Sequence, residues 1–394
     1  MNKRHIQHTK PVNSVQVRTA LLNTLQSCVP LEIDGRNLDE AKLWDILIYS
    51  ATHHTTSEAS CTELQCGCSS NTVREHLNDG LEESRGGVVE LEEHLNTALH
   101  TQLPDSFLRQ LKQRRYDTAI DLVEIAYHGQ PSQVEAEVRR GPAKSGTTHR
   151  HVYATLAIVH DEQRYELALT FVWADETLVQ VVERLLKRAW RFGLRIRRAY
   201  CDKGFCSCAV FRWLRRHRVA YVLPVPVRGK ALKALRRGDH SYRTRYTFNV
   251  HTREAYTTDL VLVRKYRAGR RGKHGVDWLI YAVYAVGAIL PQQIHDLYRR
   301  RFGIESGYRQ LHQVRARTTS QNPAVRLLLV GLALLILNVY LALRRIWLTV
   351  RHFGRRTRRL WLTLKRLALM LFRLIEHVYG VCAIEEVAFS TINL

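Results

Sequence analysis

Acidic residues are scarce in this 394-residue chain relative to basic ones. It has 36 Asp and Glu against 60 Lys and Arg, so its formal net charge at pH 7 is +24. A chain this basic attracts polyanions, and nucleic acid is the obvious one. The same charge also fits a ribosomal or structural nucleic-acid binder, so charge alone does not separate these proteins from an enzyme.

The chain also lacks the apolar opening segment of a secretory leader, because residues 1–13 are polar and basic. Without secretion a disulfide framework is not expected, and the eight cysteines are expected to stay reduced. We therefore expect a cytoplasmic, nucleoid-associated protein.

Zinc sites usually have two C-x2–4-C pairs, or one such pair with a spaced pair of histidines, and the N-terminal region lacks a second pair. The N-terminal region has only Cys61-x4-Cys66 and the pair Cys66-x-Cys68, with His53 and His76 nearby. This spacing favours buried thiols and leaves a zinc site as the alternative.

Long apolar runs are nearly absent, with one exception at residues 327–343. The run is about the minimum length for crossing a bilayer. Asn338 interrupts it, and Arg326 and Arg344 flank it. We predict a buried helix and no membrane partner.

The first hundred residues have a polar, helical pattern. Within them, residues 61–77 predict a helix, a turn around Gly67 and a second helix capped by Ser69 or Ser70. This order of elements is typical of a helix-turn-helix DNA-binding motif, and a plain helical hairpin is the alternative.

Strand and helix patterns then alternate in a mixed α/β order. The predicted elements are an antiparallel meander of strands at 116–126, 150–159 and 165–172, a helix at 178–192, a strand at 196–200, a helix at 207–217 and a strand at 220–225. This is the element order of the RNase H-like fold. A β-rich insertion follows, with a basic, exposed loop predicted at 264–273.

Three regions are predicted from this order. Residues 1–105 are a helical DNA-binding region, and residues 106–345 are an RNase H-like catalytic domain with the insertion at about 231–289. Residues 346–394 are a basic helical C-terminal region, whose amphipathic pattern fits packing on the core with arginines facing DNA phosphates.

Three acidic residues occupy positions suited to phosphodiester chemistry, which uses divalent metals held by carboxylates. Asp121 lies within an apolar strand, Asp202 ends the fourth strand, and Glu305 lies in an arginine-rich helix. In an RNase H-like sheet the first and fourth strands are neighbours, which predicts that Asp121 and Asp202 meet. As alternatives, Asp202 is a turn residue and Glu305 pairs with an arginine on its helix.

Three segments resemble the catalytic blocks of insertion-sequence DDE transposases, in the group with a β-strand insertion between the second Asp and the Glu. They are AIDLVEIAYHG at 119–129, YCDKGFCS at 200–207 and YRRRFGIESGYRQLHQVRART at 298–318. The resemblance covers roughly residues 110 to 345. It implies that Asp121, Asp202 and Glu305 are catalytic and hold two Mg²⁺ (or Mn²⁺) ions.

The third block of that family has the spacing Y-x2-R-x3-E-x6-K. Tyr298, Arg301 and Glu305 match it, and His312 stands at the lysine position. The resemblance implies that Tyr298, Arg301 and His312 contact double-stranded DNA, and that the protein acts as a homodimer on two DNA ends. Because histidine is largely neutral at pH 7, His312 departs from the family pattern.

The resemblance implies a transposase that cuts transposon ends and joins the 3′-hydroxyl to target DNA. A catalytically impaired DNA-binding relative is one alternative, motivated by His312. A nuclease with the same site but without strand transfer is another, and a membrane-bound basic protein is a third.

Overall fold

The computed structural model describes residues 13–31, 33, 35–159, 165–268, 274–299, 310–348 and 362–381. The chain forms two compact units. The first comprises residues 1–98 and 310–394, and the second comprises residues 99–309. The units follow a different division from the three predicted regions, since residues 310–345 belong with the N-terminal helices. The domain boundaries proposed from the sequence remain a prediction.

The described part of the first unit is helical. Its helices are α1 (Ser14–Cys28), α2 (Glu40–Thr52), α3 (Ser57–Leu64), α4 (Ser70–Gly80), α5 (Arg85–Thr101, which continues into the second unit), α11 (Pro323–Leu348) and α12 (Leu364–Val378). Helix α2 is at the centre, packed by α1, α3, α11 and α12. All residues from Leu43 to Thr52 are buried, as expected for a helix surrounded by others.

The apolar run at 327–343 lies within α11, and its side chains are buried from Leu327 to Asn338 and partly buried toward its end. This confirms the predicted buried helix. By length and composition α11 is the one helix among the described residues that could cross a membrane, and 89% of its apolar window is buried within the protein. At Gly331 the helix comes close to α5, where an added Cβ would lie 2.6 Å from Leu95 Cδ2.

The predicted helix–turn–helix at 61–77 is present. Helix α3 ends at Leu64, and Gly67 has a φ of +72° within the turn. The Ser69 hydroxyl then accepts a hydrogen bond from the Thr72 amide at 3.1 Å and caps α4. The geometry confirms the capped helical pair, while its DNA-reading role remains a prediction.

The second unit is built on a sheet. Its elements are α6 (Asp105–Gln113), β1 (Arg115–Ala126), β2 (Val138–Lys144), β3 (Thr147–Ile158), β4 (Glu166–Val172), α7 (Leu178–Arg191), β5 (Arg195–Cys201), α8 (Cys208–Arg216), β6 (Tyr221–Pro224), α9 (Gly229–Ala234), β7 (Tyr242–Phe248), β8 (Tyr256–Ala268), β9 (His274–Tyr284) and α10 (Pro291–Arg299).

Five of these strands have the order β4-β3-β1-β5-β6. Strands β1, β3 and β4 are antiparallel neighbours, and β5 and β6 run parallel to β1. A meander followed by two parallel strands is the RNase H-like arrangement, which confirms the predicted fold class. The additional strand β2 pairs with the first half of β3.

The β-rich insertion continues this sheet. Strand β9 pairs antiparallel with β6, and β8 and β7 follow, so the described residues form one nine-stranded sheet. The prediction of an exposed basic loop is wrong for residues 264–268. These residues belong to β8, where the hairpin ladder pairs Arg264 with Trp278 and Ala268 with His274. Residues 269–273 lie outside the described residues.

Helix α10 packs on one face of the sheet. Its Ile294 and Tyr298 join a buried cluster with Ala119 of β1 and Tyr281 of β9. His295 Nδ1 lies 2.7 Å from the Tyr281 hydroxyl, and burial lowers the pKa of His295 to about 4. Because side chains alternate along a strand, Asp121 faces the same side of the sheet as Ala119. The α10 face of the sheet is therefore the face of Asp121.

Candidate functional site

Asp121 and Asp202 meet at the centre of the sheet, as predicted. Strands β1 and β5 are parallel, with Ile120 opposite Cys201, so Asp121 and Asp202 occupy the next positions in that register. The Asp202 amide also donates to the Ile120 carbonyl at 3.2 Å. Neighbouring strands lie about 4.8 Å apart, so the backbone places the two aspartates side by side where the parallel pair ends.

The Asp121 carboxylate is held in place by its own strand. Its residue is 7% exposed, and Oδ1 accepts a hydrogen bond from the Leu122 amide at 2.9 Å. Opposite it on β3 lies Thr155. A buried carboxylate is costly unless hydrogen bonds or cations compensate its charge, so this position needs a reason beyond packing.

Asp202 is half-buried at the end of β5. A short 3₁₀ turn, Lys203–Phe205, follows it, and the Phe205 amide donates to the Asp202 carbonyl at 3.0 Å. The Asp202 side chain makes no capping hydrogen bond to this turn. Asp202 therefore begins a turn, as the alternative expects, but its carboxylate is not used to cap that turn.

Glu166 is an acidic neighbour that the sequence reasoning missed. It lies at the start of β4, is 7% exposed, and pairs in register with Ala157 of β3. Burial raises the pKa of the Glu166 carboxyl to about 7, a hydrogen bond with Thr155 opposes the shift, and the charge of Asp121 adds to it. The signal was the same one that singled out Asp121, a lone carboxylate in an apolar strand.

The remaining predicted site residues are placed less completely. Tyr298 is buried, with its ring centroid 5.2 Å from that of Tyr281, so in this structure it is part of the core. Arg301 and Glu305 lie outside the described residues. His312 is exposed and belongs to the first unit. The roles proposed for these residues in catalysis and DNA binding remain predictions.

A second buried aspartate, Asp117, lies on the same strand in different surroundings. Its carboxylate accepts two hydrogen bonds of 2.7 Å from Arg197 and one of 3.0 Å from the Tyr200 hydroxyl. Arg198 Nε lies 3.5 Å away. Two arginines therefore compensate this charge, which is the pattern of a structural ion pair.

Asp121, Asp202 and Glu166 lie on neighbouring parts of one sheet and offer oxygen ligands, which hard divalent cations such as Mg²⁺ prefer. The charge of Asp121 helps to raise the pKa of the Glu166 carboxyl, and a divalent ion bound beside them would relieve that repulsion. The donor set thus fits a magnesium or manganese site.

The family described as "Transposase DDE domain" matches residues 112–339, more than half of the chain. The matched segment contains Asp121, Asp202 and Glu305. A solved structure of the piggyBac transposase, in a synaptic complex with hairpin DNA, is similar at a TM-score of 0.48 and 12% identity, covering 96% of this chain and 75% of that chain. No curated protein sequence matches the chain.

Proposed function

The chain belongs to the transposase DDE domain family, and on that premise we propose that it cuts transposon ends and joins the freed 3′-hydroxyl to target DNA. Its catalytic carboxylates would be Asp121, Asp202 and Glu305. The observation that carries the proposal is the register of β1 and β5, which makes Asp121 and Asp202 neighbours on the central parallel pair.

The spacing of the third carboxylate supports its assignment. Glu305 follows Tyr298 by seven residues, which corresponds to two turns of an α-helix. Tyr298 packs in the same cluster as Ala119, which is two residues before Asp121 on the same strand face. The assignment of Glu305 rests on this spacing in the sequence, because Glu305 itself lies outside the described residues.

Asp121, Asp202 and Glu305 would hold two divalent ions. When bound, such ions lower the pKa of the attacking water or hydroxyl and stabilise charge on the leaving oxygen. The chain contributes the positions of the ligands. The Leu122 amide orients Asp121, and the Ile120 carbonyl fixes the backbone at Asp202.

Binding of double-stranded DNA fits the net charge of +24. Helix α4 offers a surface for reading the transposon end, because Asn71, Arg74 and Asn78 are exposed at spacings of three and four residues, along one helix face. We propose that the protein acts as a homodimer, with each copy binding one end.

The test is cleavage of a labelled duplex carrying the inverted repeat that flanks the gene. With Mg²⁺ the wild-type protein should cut and join this DNA, and Asp202→Asn should cut at least about a thousandfold more slowly. Asn keeps the size of Asp and loses the charge that holds a divalent ion. In a gel shift without metal, both proteins should bind the duplex with similar affinity, because phosphate binding depends on Arg and Lys.

Asp239→Asn is the matched control, because the Asp239 side chain is 89% exposed in the insertion, and it should cut at the wild-type rate. Cleavage by Asp202→Asn at that same rate would refute the catalytic assignment. If the wild-type protein binds the duplex and never cuts it with Mg²⁺ or Mn²⁺, the catalytically impaired DNA-binding relative becomes the better description. His312→Lys is then the next variant to make.

A further inference from the structure

Three cysteine sulfur atoms converge in the first unit. The ligand atoms of Cys61, Cys66 and Cys68 all lie within 4.8 Å of one another. The Sγ atoms of Cys66 and Cys68 are 3.2 Å apart. Cys61 and Cys66 are buried and Cys68 is half-buried, so the cluster is sheltered but reaches the surface at one corner.

The backbone of the α3–α4 turn brings these sulfurs together. Cys61 lies on α3, and Gln65 and Gly67 both adopt positive φ values, of 45° and 72°. These two left-handed residues reverse the chain so that Cys66 and Cys68 approach Cys61 before Ser69 caps α4. The close approach thus depends on a specific turn conformation and not on general packing of apolar side chains.

We propose that Cys61, Cys66 and Cys68 form a Zn²⁺ site that fixes the angle between α3 and α4. Thiolates are soft ligands that prefer zinc to magnesium, so this site is distinct in chemistry from the carboxylate cluster. With Zn–S bonds of about 2.3 Å, tetrahedral geometry places sulfurs about 3.8 Å apart. The Cys66 and Cys68 sulfurs are closer than this, at 3.2 Å, and all three sulfurs lie within 4.8 Å of one another, so side-chain shifts of about 1 Å would reach this geometry.

The charge balance of the site is favourable. On binding, the three thiols release three protons to solvent, and Zn²⁺ with three thiolates carries a net charge of −1. The Lys42 ammonium donates to the Cys66 carbonyl at 3.1 Å and places a positive charge beside the cluster. Within the described ranges the cluster contributes three ligand atoms, so a bound Zn²⁺ would take its fourth ligand from outside this cluster, and the half-buried Cys68 leaves access for it.

The site bears on the helix pair proposed to read DNA. Helices α3 and α4 are short, at 8 and 11 residues, and a metal bound across their turn would hold them together in the absence of DNA. This role is independent of the carboxylate chemistry, so loss of the zinc site and loss of strand cleavage are separate outcomes.

The experiment measures metal content of the full-length protein, purified under reducing conditions without chelator or a metal-affinity column. Elemental analysis should find about one zinc per chain in the wild type and far less in Cys61→Ser, Cys66→Ser and Cys68→Ser. Co²⁺ added to the zinc-free protein should give the intense near-ultraviolet absorption of sulfur-to-cobalt charge transfer. Cys28→Ser is the matched control, since Cys28 is also buried in this unit but lies outside the cluster, and it should keep its zinc.

Wild-type protein that takes up no zinc and shows no cobalt–sulfur absorption would overturn the proposal and leave three buried thiols. An intact mass lower by two hydrogens, with Cys66 and Cys68 joined, would overturn it in favour of a disulfide. If the serine variants do not fold, the cobalt titration of the wild type decides alone. Equal metal loss from Cys28→Ser would also contradict the assignment.

Discussion

Asp117 and Asp121 lie four positions apart on β1, and both are buried, yet their surroundings differ. Around Asp117 the structure places two arginines and a tyrosine hydroxyl. Beside Asp121 the backbone register places Asp202 on the neighbouring strand, and the charge of Asp121 acts on the buried Glu166 carboxyl. A fold that keeps negative charges together needs a compensating ion or proton. The comparison separates a carboxylate that stabilises the sheet from one suited to hold a metal.

The largest expected effect comes from comparing Asp121→Asn with Asp117→Asn. Asp121→Asn should slow strand cleavage at least about a thousandfold and leave stability unchanged or higher, since it relieves repulsion. Asp117→Asn should cut DNA at near the wild-type rate and lose about 2 kcal/mol of stability. The loss is less than for a fully buried pair, because the Arg197 side chain is 38% exposed. Cleavage assays and urea unfolding measure the two effects.

The comparison would fail if folded Asp117→Asn lost cleavage as severely as Asp121→Asn. It would also fail if Asp121→Asn were the less stable of the two variants. Either result would place both aspartates in the same functional class.

The next largest effect is a pH dependence of stability that comes from Glu166, the acidic neighbour of Asp121. The pKa of Glu166 is raised from 4.5 to about 7, so between these values the metal-free folded protein holds a proton that the unfolded chain has released. The stabilisation that the protonated Glu166 gives to the folded protein is therefore complete below pH 4.5. It is lost as the pH rises through about 7, which lowers the free energy of unfolding by about 3 kcal/mol. Glu166→Gln should remove this dependence in urea unfolding measured between pH 4 and 8. An unchanged slope in the variant would show that another group titrates.

A smaller effect is expected from divalent ions. Mg²⁺ at a hundred times its dissociation constant should stabilise the wild-type protein by about 2.7 kcal/mol, because it binds the folded state. Asp117→Asn should show the same gain in unfolding experiments, and Asp121→Asn should show little or none. A gain that survives in Asp121→Asn would place the ion elsewhere.

The smallest effect is expected from the hydrogen bonds around Asp117. Tyr200→Phe removes the hydroxyl that donates to Asp117, which should cost about 1 kcal/mol of stability and leave cleavage unaffected. Thermal unfolding and the cleavage assay check the pair of outcomes. A loss of cleavage in this variant would mean that the Asp117 network controls the geometry of the site.

The strand order and the meeting of Asp121 with Asp202 were accessible from the sequence, because alternation and turn signals fix both the element types and their order. The position of Glu166 was not. A bulge between Leu156 and Ala157 sets its register against β3, and no local pattern encodes such a shift. Strand β2 was missed for a related reason, since its Gly141-Pro142 pair is typical of a loop.

Residues 264–268 were predicted to form an exposed loop because they are basic. Charge indicates exposure and carries no information on strand pairing. Lys265 shows the difference, since it is half-buried in β8 and its ammonium contacts His295. The cysteine cluster was likewise invisible in spacing alone. Its geometry depends on two left-handed turn residues, one of which, Gln65, is not a residue type that signals such a turn.

The pairing of β9 with β6 makes the insertion inseparable from the fold that carries it. Residues Tyr221, Val222 and Leu223 of β6 are fully buried, and β9 satisfies the hydrogen bonds of their outer edge. A chain shortened between α9 and α10 would leave an apolar edge strand open to pairing with other molecules, a known route to aggregation. The insertion is thus part of the architecture and not a detachable module.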